Sequence, residues 1–359
     1  MKIGVLTFHN AINFGAVLQT YATQELLKGM GHSVEIIDYH NSYIDAYYEK
    51  NEFSFKKFLT LNPKSIVKSI IVPILYSKRK RRYDAFLRNL NLTERYFQGE
   101  ITGYDVILIG SDQVWSIKHT DGFDRMYWGL FDTPADTKKI AWSACMGDEY
   151  TKYDKKEIAR LLSNFDKISV REASLKDYLM RITNKDITVT LDPTLVVNKA
   201  VWNKFCKPVD NTGYILVYAV KFLSETITVA NKISKIYGKK VKIISAYPGR
   251  PFSLKVIEGC GPQDFLSYIK NASLVITSSF HGAVFSILFE KDFVSVIPEG
   301  KKNQRVSDLL YSLNLSNRII SSPNAIERIS KIDYSNINIL LEEKKAETLD
   351  FLKSSLLVS

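Results

Sequence analysis

Three polar side chains of one short stretch have the chemistry of an anion site. In VITSSFHGAVFSILF, residues 275–289, Ser278, Ser279 and His281 have apolar residues on both sides. The first apolar run is typical of a buried strand, and the second of a buried helix. Backbone N–H groups at a helix start attract an anion, serine hydroxyls add donors, and a histidine exchanges a proton near neutral pH. The stretch therefore predicts an anion site beside a histidine that can give or take a proton.

Polar side chains also follow the other apolar runs that we interpret as strands. In parallel α/β sheets, ligands bind outside the carboxyl ends of the strands, so these side chains are candidates for chemistry. Ordinary structural roles are equally open, since Ser, Asn and Asp often cap helices or close turns. A single histidine beside a glycine is likewise often a turn residue. The strand-end set is His9, Asn10, Asn13, Ser111, Asp112, Gln113, Ser143, Lys221, Ser278, Ser279 and His281.

Short apolar runs alternate with helical patterns along most of the chain, which indicates an α/β fold with parallel sheets. The alternation pauses near Pro193 and then restarts, so we predict two Rossmann-like domains that face a cleft. Their expected ranges are 1–190, with a basic insertion at 53–90, and 191–335. An amphipathic helix is expected within 336–359. The turn after the first strand contains Gly15 but no GxGxxG, so a dinucleotide fingerprint is absent.

The composition narrows the classes of function. The 359 residues carry a net charge of +11, and much of the excess lies between Phe55 and Arg88, where Lys and Arg alternate with aliphatic residues. Such a segment fits an anionic membrane surface, or it is simply a solvated helix face. The sequence shows no nucleic-acid-binding motif, no membrane-spanning run, no signal peptide and no cysteine pairing. We therefore expect a cytoplasmic protein, peripheral at the inner face of the plasma membrane if the basic segment binds lipid.

Five motifs together resemble the polysaccharide pyruvyl transferase family. The most specific are the Ser-Phe-His-Gly motif within SSFHGAVFSILF and the Ser-Val-Arg-Glu motif that begins SVREASLKDYL, residues 169–179. The resemblance covers most of the chain, with motifs in both halves and in the family's order. It implies a glycosyltransferase-B-like fold and transfer of pyruvate from phosphoenolpyruvate (PEP) to a sugar as a ketal. The other three motifs are NFGAVLQTYA, residues 13–22, GSDQVWS, residues 110–116, and LDPTLVV.

The resemblance also assigns roles on the PEP side. It makes His281 the proton donor and Arg171 the clamp for the PEP carboxylate or phosphate. Some relatives carry an arginine at the position of Ser279, so another cation is expected to compensate. PEP is a co-substrate here, and no cofactor or metal is expected. The remaining residues expected to bind PEP are Ser278, Ser279, Gly282, Lys301 and Arg305, although Lys301 and Arg305 equally fit a solvated loop.

The sugar acceptor is expected on the N-terminal side. Asp112 is the candidate base, although an aspartate after a strand is often a helix cap. Glu172 is a second candidate, or it orients Arg171. The resemblance implies an acceptor in a bacterial surface-polysaccharide precursor, such as a capsule or exopolysaccharide unit, and a polyprenyl-pyrophosphate-linked form fits the basic insertion. The residues expected to bind it are His9, Asn13, Gln113 and Trp115, the last by stacking on a pyranose ring.

Two other functions compete with this interpretation. A nucleotide-sugar glycosyltransferase of the same architecture would need a carboxylate for the ribose, and Glu290, after the His281 helix, is available. A catalytically silent binding or scaffold protein of this fold is the other alternative. The presence of His281 and Arg171 argues against it. The acceptor sugar and the stereochemistry of the ketal are not encoded in any motif that we recognise.

Overall fold

The computed structural model describes residues 1–49, 63–96, 99–210, 212–246, 255–323, 326 and 328–357. Within these residues the chain forms two separate β-sheets, and every strand pair in both is parallel. The predicted α/β fold with two Rossmann-like domains is therefore confirmed.

The first sheet has seven strands in the described residues, in the order β3-β2-β1-β4-β5-β6-β7. The second has six, in the order β10-β9-β8-β11-β12-β13. The strands of the first sheet are β1 Lys2–Leu6, β2 Ser33–Tyr39, β3 Leu92–Tyr96, β4 Val106–Ile109, β5 Lys138–Ala144, β6 Lys167–Val170 and β7 Ile187–Val189. The strands of the second are β8 Ile215–Ala219, β9 Val241–Ser245, β10 Val256–Ile257, β11 Leu274–Thr277, β12 Phe293–Val296 and β13 Ile319–Ile320.

Helices cover the sheets and connect the parallel strands. In the first part of the chain they are α1 Phe14–Gly29, α2 Ser42–Glu49, α3 Pro63–Leu87, α4 Ile117–Thr120, α5 Lys155–Leu162 and α6 Ala173–Leu179. They continue with α7 Pro193–Val196, α8 Lys199–Asn203, α9 Leu223–Tyr237, α10 Pro262–Asn271, α11 Phe280–Leu288, α12 Gln304–Ser312 and α13 Tyr334–Leu356. Short 3₁₀ turns lie at Tyr150–Lys152 and Ser316–Arg318.

The central strands are apolar along their whole length because both of their faces are covered. All four residues of β4, VILI, and all four of β11, LVIT, are buried. Parallel sheets with helices on both faces are built from such continuous apolar runs. The polar side chains that follow each run are thereby placed at the sheet edge, where the strands end.

A shared hydrophobic core joins the two domains. The ring of Phe14, at the start of α1, stacks on Phe265 of α10 at a centroid distance of 4.7 Å. Polar contacts extend the interface, since Lys221 forms an ion pair with Asp148, and the Ser174 hydroxyl donates to Asp308 at 2.7 Å. Offset-stacked aromatic pairs contribute beyond their buried area, so this contact helps to fix how the domains face each other.

The C-terminal helix packs back against the first part of the chain. The backbone N–H of Leu191 donates to the Thr348 hydroxyl of α13 at 3.0 Å. The Lys138 ammonium donates to the carbonyl of Leu357, just after the helix ends, at 2.7 Å. Helix α13 therefore holds the segment that connects the two sheets.

Part of the basic insertion contacts the second domain. The predicted insertion spans 53–90, and its residues 53–62 lie outside the described part of the chain. Most of the rest is helix α3, in which the buried Arg79 donates to the Ser245 carbonyl at 2.9 Å and Arg82 pairs with Asp264 at 2.5 Å. These two cations of the run KRKRR, residues 78–82, contact the second domain, and the buried Arg79 is not available to a membrane. No helix among the described residues is both long and apolar enough to cross a bilayer.

Candidate active site

His281 lies in the first turn of α11, which begins at Phe280, soon after β11 ends at Thr277. Its side chain is buried. A Cβ atom on the neighbouring Gly282 would lie 2.1 Å from Oγ1 of Thr277, the last residue of β11. Only a glycine lets the helix approach the strand end this closely. The role of Gly282 in the structure is therefore to bring the helix start, with His281, against the sheet.

Asp192 connects the two residues that the motifs singled out. Its Oδ2 atom lies 2.8 Å from Nη2 of Arg171 and 3.5 Å from Nε2 of His281. Its Oδ1 atom accepts hydrogen bonds from the backbone N–H of Thr194 at 2.9 Å and from the Thr194 hydroxyl at 2.5 Å. The Asp192 side chain is completely buried. One buried carboxylate thus pairs with an arginine of the first domain and lies close to a histidine of the second, whose Nε2 has no hydrogen-bond partner among the described residues.

The charges of this cluster stabilise one another. Burial by itself would raise the pKa of Asp192, but the positive charges of Arg171 and His281 outweigh it and hold that pKa well below its usual range. Burial would likewise lower the pKa of Arg171, and the carboxylates of Asp192 and Asp112 raise it instead. Asp192 therefore stays anionic and Arg171 cationic across the physiological pH range.

Two side-chain nitrogen atoms of Arg171 have no hydrogen-bond acceptor among the described residues. Its Nη2 atom donates to the Ser111 hydroxyl at 2.5 Å, but Nε and Nη1 are buried without a hydrogen-bond partner among the described residues. Its guanidinium lies over the Phe280 ring at 4.8 Å, and that of Arg305 lies 6.0 Å from the same ring. Unsatisfied buried donors are costly, so this site favours an anion that accepts from them.

A cavity of about 110 Å³ opens beside these two arginines. Arg171, Asp192, Phe280 and Arg305 line it together with residues of α12 and α13. Arg305 lies in the first turn of α12, and its Nε is also buried without a partner in the described part of the chain. The position that relatives fill with an arginine is Ser279 here. Arg305 lines the same cavity as Arg171, and both guanidinium groups lie near the Phe280 ring, so Arg305 is our candidate for the compensating cation.

Gly15 brings the first domain directly against His281. A Cβ atom on Gly15 would lie 1.9 Å from the His281 Nδ1 atom, so the glycine leaves the space that the imidazole fills. Gly15 belongs to α1, whose N-cap is Asn13. The Asn13 side-chain oxygen accepts from the backbone N–H of Gly15 at 2.9 Å. The NFGA motif thus serves packing across the cleft, and Asn13 acts as a helix cap.

Two carboxyl groups flank Arg171 besides Asp192. Asp112 lies 3.9 Å from Nη1 of Arg171, and its backbone has a φ of 73°. It does not cap a helix, because the N-cap of α4 is Ser116. The buried Glu172 is different, since burial raises its pKa to about 7 although the charges of Arg171 and Arg305 lower it. Glu172 therefore titrates near neutrality, while Asp112 borders the arginine's unused donors.

The other residues expected around PEP are only partly brought together. The Ser278 hydroxyl donates to the Lys221 carbonyl, so it supports the turn. The Ser279 backbone N–H donates to the Thr277 hydroxyl at 3.0 Å, and Ser279 is the N-cap of α11 without a side-chain capping bond. Lys301 is exposed on a turn and does not line the cavity beside Arg171. Of the groups expected to bind PEP, the described structure brings together the start of α11, Arg171 and Arg305.

The structure contradicts parts of the expected sugar site. Trp115 is fully buried, stacks on Trp128 at 4.7 Å and donates its Nε1–H to the Tyr127 carbonyl at 2.9 Å, so it cannot stack on a pyranose ring. His9 is also buried, with its Nε2 atom 2.7 Å from Asp38, and is not open to a sugar. Gln113, next to Asp112, is half-buried and stays a candidate.

The sequence interpretation missed two arrangements of side chains that are candidates for function. Asp192 lies in the LDPTLVV motif, yet it had no assigned role, because the fold alone brings it to His281. A cluster of His9, Asp38 and His40 has ligand atoms within 4.8 Å of one another, although the sequence suggested no metal site. The available signal was the Asp-x-His spacing at the end of β2, which places Asp38 and His40 on one face of the strand.

The solved structures that match this chain have little sequence similarity to it. UDP-GlcNAc 2-epimerase from Methanocaldococcus jannaschii is 14% identical with a TM-score of 0.47, over 98% of this chain and 92% of that one. The UDP-GlcNAc-bound 2-epimerase from Neisseria meningitidis is 13% identical with a TM-score of 0.47, over 100% and 95%. The glycosyltransferase SsfS6 from Streptomyces sp. SF2575 is 14% identical with a TM-score of 0.41, over 98% and 96%.

Comparison with curated proteins gives no significant match. The family comparison is informative. The family model described as polysaccharide pyruvyl transferase matches residues 13–299 of the 359. This range includes Gly15, Arg171, Asp192 and His281, the residues that meet between the two sheets. The chain belongs to the polysaccharide pyruvyl transferase family.

Proposed function

We propose that this protein transfers pyruvate from PEP to two hydroxyls of one sugar in a bacterial surface-polysaccharide precursor, forming a ketal. The observation that carries the proposal is the pair of unsatisfied buried donors on Arg171, placed beside the His281–Asp192 contact. PEP brings two anionic groups and an alkene that needs a proton. An arginine with unused donors suits the anionic groups, and a histidine close to a carboxylate suits the transfer of the proton.

The anionic groups of PEP would bind between Arg171, Arg305 and the start of α11. Nε and Nη1 of Arg171 offer the planar fork that suits a carboxylate or a phosphate. Arg305 adds a second cation across the Phe280 ring. The first N–H groups of α11 have no carbonyl partner inside the helix, and the helix dipole favours negative charge there.

In the reaction, His281 would donate a proton to the methylene carbon of PEP, so that carbon 2 becomes an oxocarbenium-like centre. One sugar hydroxyl bonds to carbon 2 and loses its proton to a base. The bond from carbon 2 to the phosphate oxygen then breaks, phosphate leaves, and the second hydroxyl closes the ring with loss of its own proton. Asp192 would stabilise the protonated His281, and positioned proton transfer contributes roughly 10²–10⁴ in rate.

Asp112 is our candidate for the base. It lies beside Nη1 of Arg171, on the side of the first domain where Gln113 is half-buried and able to contact a hydroxyl. Glu172 is fully buried, and its raised pKa suits a group that keeps a proton near neutral pH. We therefore assign sugar deprotonation to Asp112 and the positioning of Arg171 to Glu172.

A lipid-linked acceptor would be reached through the remaining basic face of α3. Arg79 and Arg82 are engaged with the second domain, but Lys80 and Arg81 are exposed, and the apolar Ile74 is 62% exposed nearby in the sequence. Each basic residue near an anionic surface contributes about 1 kcal/mol. The variant Lys80→Gln/Arg81→Gln should therefore reduce binding to anionic vesicles without disturbing the interface. Vesicle binding that this variant leaves unchanged would remove the membrane from the proposal.

The competing glycosyltransferase reaction would use Glu290 to bind the ribose, and the position of Glu290 does not favour that role. Glu290 follows the C-terminal end of α11, whereas His281 lies at the N-terminal end of the same helix. Its side chain is exposed and pairs with Lys199 at 3.1 Å. An exposed, paired glutamate at the far end of the helix is poorly placed to bind a nucleotide in the cleft.

The proposal is tested by incubating the protein with PEP and a panel of galactose- and mannosamine-containing acceptors, both water-soluble and lipid-linked. Mass spectrometry should detect an acceptor that gains one pyruvyl ketal, with release of an equal amount of phosphate. The variant His281→Gln should form this product roughly 10²–10⁴ times more slowly. Transfer of a sugar from UDP- or GDP-sugars, with no use of PEP, would overturn the proposal in favour of a glycosyltransferase.

A further inference from the structure

A second cluster of titratable side chains lies at the carboxyl ends of β1 and β2. Nε2 of His9 and Nε2 of His40 both face the same oxygen of Asp38, at 2.7 and 2.9 Å. His9 is almost completely buried, and the other two side chains are about one-fifth exposed. Two imidazoles that converge on one carboxylate oxygen are not explained by helix capping or by strand pairing.

The partners of the opposite ring nitrogens define which nitrogens carry protons. Nδ1 of His9 lies 3.3 Å from the Thr7 carbonyl, and Nδ1 of His40 lies 2.9 Å from an Asp45 carboxylate oxygen. Carbonyl and carboxylate oxygens only accept hydrogen bonds, so both are satisfied when Nδ1 carries the proton, and Asn10, whose amide nitrogen also lies 2.9 Å from Nδ1 of His40, then donates to Asp45. In the neutral imidazole the Nε2 atom then carries a lone pair, and both lone pairs face the anionic oxygen of Asp38.

Three electron-rich atoms pointing at one another require a cation between them, either two protons or a metal ion. We propose that His9, Asp38 and His40 bind a divalent transition metal such as Zn²⁺. Two imidazoles and one carboxylate form a common ligand set for these ions, and it leaves a position open for water. Ligand atoms about 2 Å from zinc lie roughly 3.3 Å apart in a tetrahedron, so the contacts need to open by only about half an ångström.

The surroundings of the cluster resemble the outer shell of a metal site. Ligating histidines usually donate their second N–H to a carboxylate or a carbonyl, which fixes the ring and its tautomer. Here Thr7 and Asp45 serve in this way, and the Asn10 amide donates to the other oxygen of Asp45 at 2.9 Å while also lying 2.9 Å from Nδ1 of His40. Arg95 lies 3.7 Å from Asp45 and balances its charge.

A metal at this position would fasten the loop between β1 and α1 to the end of β2. That loop continues directly into Asn13 and Gly15, and Gly15 packs against His281. The site is separate from the PEP-binding arginines, so metal binding does not depend on the proposed reaction. Its role would be to hold the first-domain wall of the cleft in place.

The test uses the full-length chain without an affinity tag, stripped of metal by a chelator. One equivalent of Co²⁺ should produce visible absorption, and Zn²⁺ should displace it. Zn²⁺ should also raise the melting temperature of the wild-type protein. His9→Ala and His40→Ala should abolish both effects, whereas His32→Ala, which changes a histidine at the end of α1, should preserve them.

Two conservative variants extend the test to cases in which an alanine variant fails to fold. Asp38→Asn should weaken Co²⁺ binding at least tenfold, and Asp45→Asn should weaken it about 10–100-fold, as expected for an outer-shell partner. Absence of Co²⁺ absorption in the wild-type protein would overturn the proposal and leave the cluster as a proton-sharing network. Equal metal binding by the wild-type and Asp38→Asn proteins would also overturn it, because the metal would then bind elsewhere.

Discussion

His281 and Asp192 meet between the two sheets, with Nε2 of the imidazole 3.5 Å from Oδ2 of the carboxylate. Asp192 is the N-cap of α7, in the segment between the two sheets, and His281 begins α11 in the second domain. Because Arg171 shares the same carboxylate oxygen, its guanidinium is held beside His281. The contact places the imidazole that we propose as proton donor next to the guanidinium that we propose as the anion-binding group.

Replacing His281 tests the proton donor. His281→Ala and His281→Gln should both lower phosphate release from PEP by roughly 10²–10⁴, because glutamine hydrogen-bonds but does not act as an acid. Circular dichroism should show that the fold is retained. His32→Gln, at the end of α1, should keep wild-type activity. Near-wild-type phosphate release by either His281 variant would remove this residue from the mechanism.

Gly15→Ala tests the packing that sets the position of the imidazole. The new Cβ would lie 1.9 Å from His281 Nδ1, so the ring must move, and we expect at least a tenfold loss of turnover. Gly29→Ala is the matched control, since Gly29 lies in the same helix and its new Cβ would meet nothing within 4 Å. Turnover and melting temperature measured for both variants check the expectation. Equal activity of the two would show that His281 tolerates displacement.

The buried Glu172 should make stability depend on pH. Burial raises its pKa from 4.5 to about 7, so between these values the folded protein holds a proton that the unfolded chain has released. Stability should therefore fall as the pH rises from about 4.5 to about 7, by about 3 kcal/mol from this group. Glu172→Gln should remove this part of the slope in urea unfolding, and the exposed Glu100→Gln should not. Identical slopes for wild-type and Glu172→Gln proteins would contradict the assignment.

Arg79→Met tests the function of α3 as a connection between the domains. The variant loses the charge-assisted hydrogen bond to Ser245 and the contacts with the rings of Phe14 and Tyr83, at 4.7 and 5.5 Å. We expect the free energy of unfolding to fall by about 2–4 kcal/mol. The exposed Arg81→Met should change it by less than about 0.5 kcal/mol. Urea denaturation of both variants tests this expectation. Equal stabilities of the two variants would refute the interface role of Arg79.

The apolar runs of the sequence indicate the central strands of both sheets but not their edges. The strands without a clear run are the outermost ones, β3, β7, β10 and β13. Each has at most five residues, and most of their side chains are partly exposed. A strand buried on both faces produces a continuous apolar run, whereas a short edge strand has no such pattern.

The candidate site was predictable where one motif carries it and not where the fold assembles it. His281 is recognisable from an apolar strand, a polar turn and an apolar helix that adjoin in sequence. The role of Asp192 depends on a contact between residues 89 positions apart, which no local pattern contains. The prediction that Trp115 stacks on a sugar was wrong. A tryptophan beside polar strand-end residues gives the same sequence pattern whether its ring faces the cleft or, as here, packs on Trp128.

The most direct test of the account is the affinity for PEP of Arg171→Lys, measured by calorimetry. Lysine keeps the positive charge beside Asp192 but loses the unused Nε and Nη1 donors that we assign to PEP. A charge-assisted hydrogen bond contributes about 1.5–3 kcal/mol, so PEP should bind roughly 10–100-fold more weakly. The exposed Arg181→Lys, in the same part of the chain, should bind PEP like the wild-type protein. Equal affinity of wild-type and Arg171→Lys proteins would contradict the central claim that Arg171 holds PEP beside His281.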